Sequence, residues 1–74
     1  MPTTKTELSF SPRRLKELRE RQGLTVTQLA AKLAIVENTY RNFENGRTSP
    51  RVNQVLIMLE MFGLTPADLD QLLE

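Results

Sequence analysis

Residues Thr25 to Gly46 read TVTQLAAKLAIVENTYRNFENG, and the spacing of their apolar side chains decides the fold. Leu29, Ala30 and Leu33 share one face of a helix predicted over 26–33. Tyr40 and Phe43 share a face of a second over 37–45, and Ile35 closes the corner between them. Thr25, with Gln28 three positions on, has the spacing of a capping box. Asn45-Gly46 supplies the stop for the second helix. Helices this short are marginal alone in water. They form a rigid pair only if outer helices hold them.

The corner itself, Ala34-Ile35-Val36, is weakly specified. It offers no Gly for a positive φ, and no Ser, Thr, Asp or Asn ahead of Glu37 to cap the second helix. An Ala in the left-handed region costs roughly 1 kcal/mol. A missing cap costs about as much.

Ser11-Pro12 marks the start of an outer helix, because Ser caps and Pro loses no hydrogen bond at the first position. This helix is expected over 12–21, with Leu15 and Leu18 inward, Phe10 at its entrance and Gly23 beyond its end. Arg13, Arg14, Lys16 and Arg21 decorate its exposed side. Ser49-Pro50 repeats the device, so the next helix is expected over about 50–62, turning Val52, Val55, Leu56, Leu59 and Phe62 to the core. Ile57, Met58 and Met61 widen its apolar surface, either against neighbouring elements or as a patch for a second subunit. Thr65-Pro66-Ala67-Asp68 opens a last helix over about 66–73, closing the core with Leu69, Leu72 and Leu73. The expected organisation is a flexible arm over 1–10, carrying Lys5, and an all-α five-helix bundle over 11–74.

A chain of 74 residues supports one domain and one small core. It contains no Cys and no His, which excludes disulfides, Cys/His zinc sites and Cys- or His-based catalysis. No apolar run approaches the roughly 20 residues of a membrane span. The N-terminus MPTTKTELSF lacks the apolar block of a secretory signal, so a cytoplasmic protein is expected. The net charge of +1 hides an asymmetry: residues 1–51 hold all ten basic side chains and five acidic ones, and residues 52–74 hold four acidic ones only. Charge sorted in this way points to a polyanion on the first side. Two short helices about a corner describe a helix-turn-helix, whose second helix is the candidate for insertion into DNA.

In the segments LKELRERQGLT, QLAAKLAI, NTYRNFENG and FGLTPADLDQLL, the sequence resembles the lambda-repressor-like, or XRE-type, helix-turn-helix family of bacterial and phage regulators. The resemblance spans Ser11 to Leu73 and implies that family's compact five-helix fold. It also implies a structural pair between Arg19 and Glu44, since family members commonly pair an Arg of the first helix with the Glu of the ENG element. A carboxylate at the end of a packed helix independently calls for a cation.

The family's DNA contacts map here onto Glu37, Asn38, Thr39, Arg41 and Asn42. Arg41 suits guanine, Asn38 or Asn42 adenine, and Glu37 cytosine, although Glu37 repels phosphate. Phosphate contacts are expected from Thr27 and Gln28 at the start of the second helix, from Asn45, Arg47 and Thr48 after the third, and from Arg13, Arg14 and Arg51. Three positions depart from the family pattern: Val26 where Gln is common, Ala34 where Gly is common, and Val36 where Ser or Thr is common.

The resemblance thus implies a homodimeric regulator of a palindromic double-stranded DNA operator, with no cofactor. The family's dimer contacts commonly involve the fourth- and fifth-helix end, here with Ile57, Met58 and Met61. The alternative is a protein-interaction module, for example one bound to a toxin, that keeps the fold and has lost DNA contact. Glu17, Glu20, Glu37 and Glu60 are helix-surface carboxylates with no nucleophile and base arranged beside them, so no enzyme is expected.

Overall fold

The computed structural model describes residues 9–74, which form four α-helices and a closing 3-10 helix. Helix α1 spans Pro12–Arg21, α2 Val26–Leu33, α3 Glu37–Asn45 and α4 Val52–Met61, and the 3-10 helix spans Pro66–Leu72. The first three carry the bounds expected from their caps. Ser11 Oγ accepts from the Arg14 N–H at 3.2 Å with Pro12 at the first turn. Thr25 and Gln28 form the reciprocal box, Gln28 N–H to Thr25 Oγ1 at 3.0 Å and Thr25 N–H to Gln28 Oε1 at 2.8 Å. Gly46, at φ 78°, ends α3 in the left-handed conformation that glycine adopts without a Cβ penalty. Helix α2 ends the same way on an alanine: Ala34 has φ 59° and ψ 41°. Val36 caps α3 in position only and gives it no side-chain hydrogen bond.

Helix α4 departs from expectation. Its cap is Arg51, and Pro50 lies outside it. Gln54 Oε1 accepts from the Arg51 N–H at 2.8 Å, so the Arg51–Gln54 spacing outcompetes the Ser49-Pro50 start two residues earlier. The last element is a 3-10 helix. Its turn closes on Asp68, whose carboxylate accepts from the Thr65 N–H at 2.9 Å. Leu73 then turns extended and bridges antiparallel to Phe10. Ser11 N–H donates to Leu72 O at 2.8 Å, and Ser9 and Glu74 exchange two backbone bonds at 3.1 and 2.9 Å. Residues 9 and 10 are therefore anchored, while the rest of the expected arm, with Lys5, lies outside the described residues.

The core comprises Leu15, Leu18, Leu29, Ala30, Leu33, Tyr40, Phe43, Val55, Met58, Leu59, Phe62 and Leu72. Ile35 packs half-buried against it, closing the corner. Met58 is completely buried, which removes it from any surface patch. Val52, Leu56 and Leu69, expected inside, are exposed at 74%, 38% and 37%. The run VLIMLEMF carries a single polar residue, Glu60, so contacts with α2 and the 3-10 helix do most to choose the buried face. Helix α3 packs on α1 and α2, and its backbone does not approach α4 or the 3-10 helix. The backbones of α4 and the 3-10 helix thus lie apart from that of α3. None of the described helices is long and apolar enough to cross a membrane.

Candidate nucleic-acid interface

Helix α3 is held from behind by its own side chains. Tyr40 and Phe43 are buried in an edge-to-face pair with ring centroids 6.1 Å apart. Beside them, Arg19 of α1 grips Glu44 with a two-pronged contact, Nε to Oε2 at 2.6 Å and Nη2 to Oε1 at 3.3 Å. Its Nη1 donates to Leu24 O at 3.1 Å, and Tyr40 Oη donates to Glu44 Oε2 at 2.7 Å. The two charged side chains are only 14% and 10% exposed. The hydrogen bond to Glu44 raises the Arg19 pKa against the opposing effect of burial. Burial first, and then the bond to Glu44, push the Tyr40 hydroxyl far above the usual phenol range. Tyr40 therefore stays a neutral donor. This cluster fixes the azimuth of α3 and so decides which residues face outward.

The opposite face is polar. Asn38, Arg41 and Asn45 are exposed, Glu37, Thr39 and Asn42 are half-buried, and Arg47, Thr48 and Arg51 are exposed after the helix. At the mouth of α3, Thr27 Oγ1 donates to Glu37 Oε2 at 2.7 Å, and Arg41 Nη2 lies 3.3 Å from Glu37 Oε1. Gln28 keeps its amide N–H groups, since only its oxygen serves the Thr25 box. An open depression beside α3 is lined by Lys16, Arg19, Val26, Arg41, Glu44 and Asn45. A half-buried α3 backed by α2, exposing Asn and Arg beside a depression bearing cations, has the shape and chemistry of a recognition helix.

A family model described as a helix-turn-helix domain matches residues 13–72. The chain belongs to this family. No curated protein matches it. The match covers all four α-helices and the 3-10 helix, in accord with the lambda-repressor-like resemblance of the sequence. A helix-turn-helix is a DNA-binding architecture, with its second helix directed to the major groove.

Within this helix-turn-helix domain, the expected phosphate-contacting residues divide into two groups. Thr27 and Gln28 on α2, Asn45 at the end of α3, and Arg47, Thr48 and Arg51 after it are exposed. Arg13 and Arg14 instead carry carboxylate partners. Arg13 pairs with Glu17 at 2.9 Å and with Glu74, and Arg14 Nε lies 3.5 Å from Glu74 Oε2. Glu74 is drawn there by the terminal bridge and by Ser11 Oγ, which donates to its Oε1 at 2.5 Å. Two α1 cations share the depression with Arg41 and Asn45: Arg19, bound to Glu44, and Lys16, which the sequence places only on the exposed side of α1. Its position was legible, because Lys16 lies one turn before Arg19 on the same helix face, and Arg19 points at α3.

Proposed function

We propose that the protein is a sequence-specific double-stranded DNA-binding regulator of transcription. It acts as a homodimer on a palindromic operator, in the cytoplasm, as a binding protein and not an enzyme. The observation that carries this reading is the division of α3 into two faces. One is locked by Arg19, Glu44 and Tyr40, and the other presents Glu37, Asn38, Thr39, Arg41 and Asn42 outward. Arg41 addresses guanine, and Asn38 and Asn42 address adenine. Lys16, Asn45, Arg47 and Thr48 position the duplex through its phosphates.

A single α3 of nine residues reaches few base pairs, so specificity calls for two copies about one helical turn apart. Ile57 and Met61 are half-buried on α4, and Val52, Leu56 and Leu69 are exposed nearby in the same acidic third. They supply the apolar surface for the second copy on the side away from α3.

The exposed valines favour a second reading. Val36, 69% exposed at the mouth of α3, and Val52, 74% exposed on α4, are suited to a protein partner such as a toxin. Selection from a pool of random duplexes, with the solution mass of the free protein, separates the two. The regulator reading expects an enriched sequence with two inverted half-sites and a dimeric mass. Recovery of an unenriched pool by a protein that binds a partner chain instead contradicts it.

A further inference from the structure

Glu37 is the first residue of α3 and the sole acidic residue of its first turn. Both of its carboxylate oxygens are engaged. Oε2 accepts from Thr27 on α2, and Oε1 pairs with Arg41 one turn along α3. Arg41 is the single cationic residue of α3, so one carboxylate both braces the corner and neutralises the guanidinium of the exposed face. From these contacts we infer that Glu37 is a specificity-determining residue: it withholds Arg41 from phosphate and leaves it available to a base edge. The inference rests on the DNA-binding reading.

The discrimination follows from charge and geometry. A phosphate offers Arg41 one anion in exchange for another, and its approach brings a second negative charge against Glu37. A guanine edge is neutral and presents two acceptors, O6 and N7, that match the guanidinium fork. Arginine has five N–H donors, so Nη2 remains on Glu37 while the other edge of the guanidinium reads the base. Non-specific complexes therefore carry a repulsion that the correct complex avoids. A role confined to the helix dipole or to bracing the corner affects folding and leaves sequence preference unchanged.

The test measures the whole chain against two duplexes of equal length across a salt series: one selected by the wild type from random sequence, and one scrambled. Glu37→Gln keeps an acceptor for Thr27 and removes the charge. It is expected to raise affinity for the scrambled duplex about fivefold to tenfold, with a salt slope steeper by about 0.9. Affinity for the selected duplex should rise less, so that the ratio of the two falls at least about threefold. Thr27→Val removes the brace alone and should lower the melting temperature with the ratio kept. In an Arg41→Gln background, Glu37→Gln should no longer move the ratio, because the cation it restrains is gone. An equal change on both duplexes, no change on either, or the same ratio shift with and without Arg41 overturns the inference. If the wild type retains neither duplex at low salt, the DNA-binding reading fails and this inference falls with it. Failure of the inference alone appears as wild-type discrimination that Glu37→Gln leaves intact.

Discussion

The two ends of α3 are built on opposite principles. At its C-terminal end, Glu44 accepts from both Arg19 and Tyr40 and is almost out of water, and two residues on Gly46 takes the conformation the turn requires. At its N-terminal end the cap is a valine without a side-chain hydrogen bond, the preceding corner turns on an alanine at φ 59°, and the side-chain tie to α2 is the half-buried carboxylate of Glu37. The rear holds α3 with a buried ion pair and its hydrogen bonds, and the mouth is held by much less. The rear should therefore tolerate little change, while the mouth can be altered with small effects on stability.

The largest expected effect is at the rear. Glu44→Leu strands the Arg19 guanidinium and the Tyr40 hydroxyl together, and should cost about 2–4 kcal/mol in denaturant unfolding. That is a large share of the roughly 5 kcal/mol typical of small domains. A loss below about 1 kcal/mol, the size expected of an exposed pair, would erase the contrast between the two ends.

Tyr40→Phe removes one donor and should cost about 1–2 kcal/mol. It also carries a pH signature. The folded state holds the Tyr40 proton more tightly than the unfolded chain, so its stabilisation is complete below the ordinary phenol value of about 10 and is lost as pH rises above it. The wild type should lose stability more steeply than Tyr40→Phe above that pH. Because Tyr40 is the one tyrosine of the chain, its phenolate absorbance should emerge with unfolding and not ahead of it.

The remaining changes strengthen the mouth. Val36→Ser provides the missing cap and should raise stability by about 1 kcal/mol. Ala34→Gly relieves the left-handed strain but adds unfolded-state entropy, for a net gain of about 0.5 kcal/mol. Thermal melts of both variants check the pair. A loss in either would mean that the corner is set by something other than its weak local chemistry.

The sequence was most readable where local chemistry was unambiguous. Ser11-Pro12, Thr25 with Gln28, and Asn45-Gly46 each name one boundary, and α1 to α3 begin and end on them. At α4 two start devices stood side by side, and the choice of Arg51 depended on a contact from Gln54. Its core face was equally hard to read, because Glu60 alone interrupts the apolar run and sets its phase only weakly, and so Met58 is buried while Val52 and Leu56 are exposed. The bridge of Phe10 to Leu73 joins the two ends of the domain and leaves no periodic trace. It is also what occupies Arg13 and Arg14 with Glu74. The Arg19–Glu44 tie was legible from the first helix and the ENG element. The Thr27–Glu37 contact, between two polar surface residues ten positions apart, was not.

The most direct test of the whole reading is a titration of the chain against a random-sequence duplex at low and at moderate salt. The expected result is binding that weakens as salt rises, with a log–log slope of roughly −0.9 for each phosphate neutralised. Arg47→Ala should make that slope shallower, and Arg41→Ala should shift which sequences a selection recovers. Absence of any salt-dependent binding would contradict the assignment of α3 to DNA.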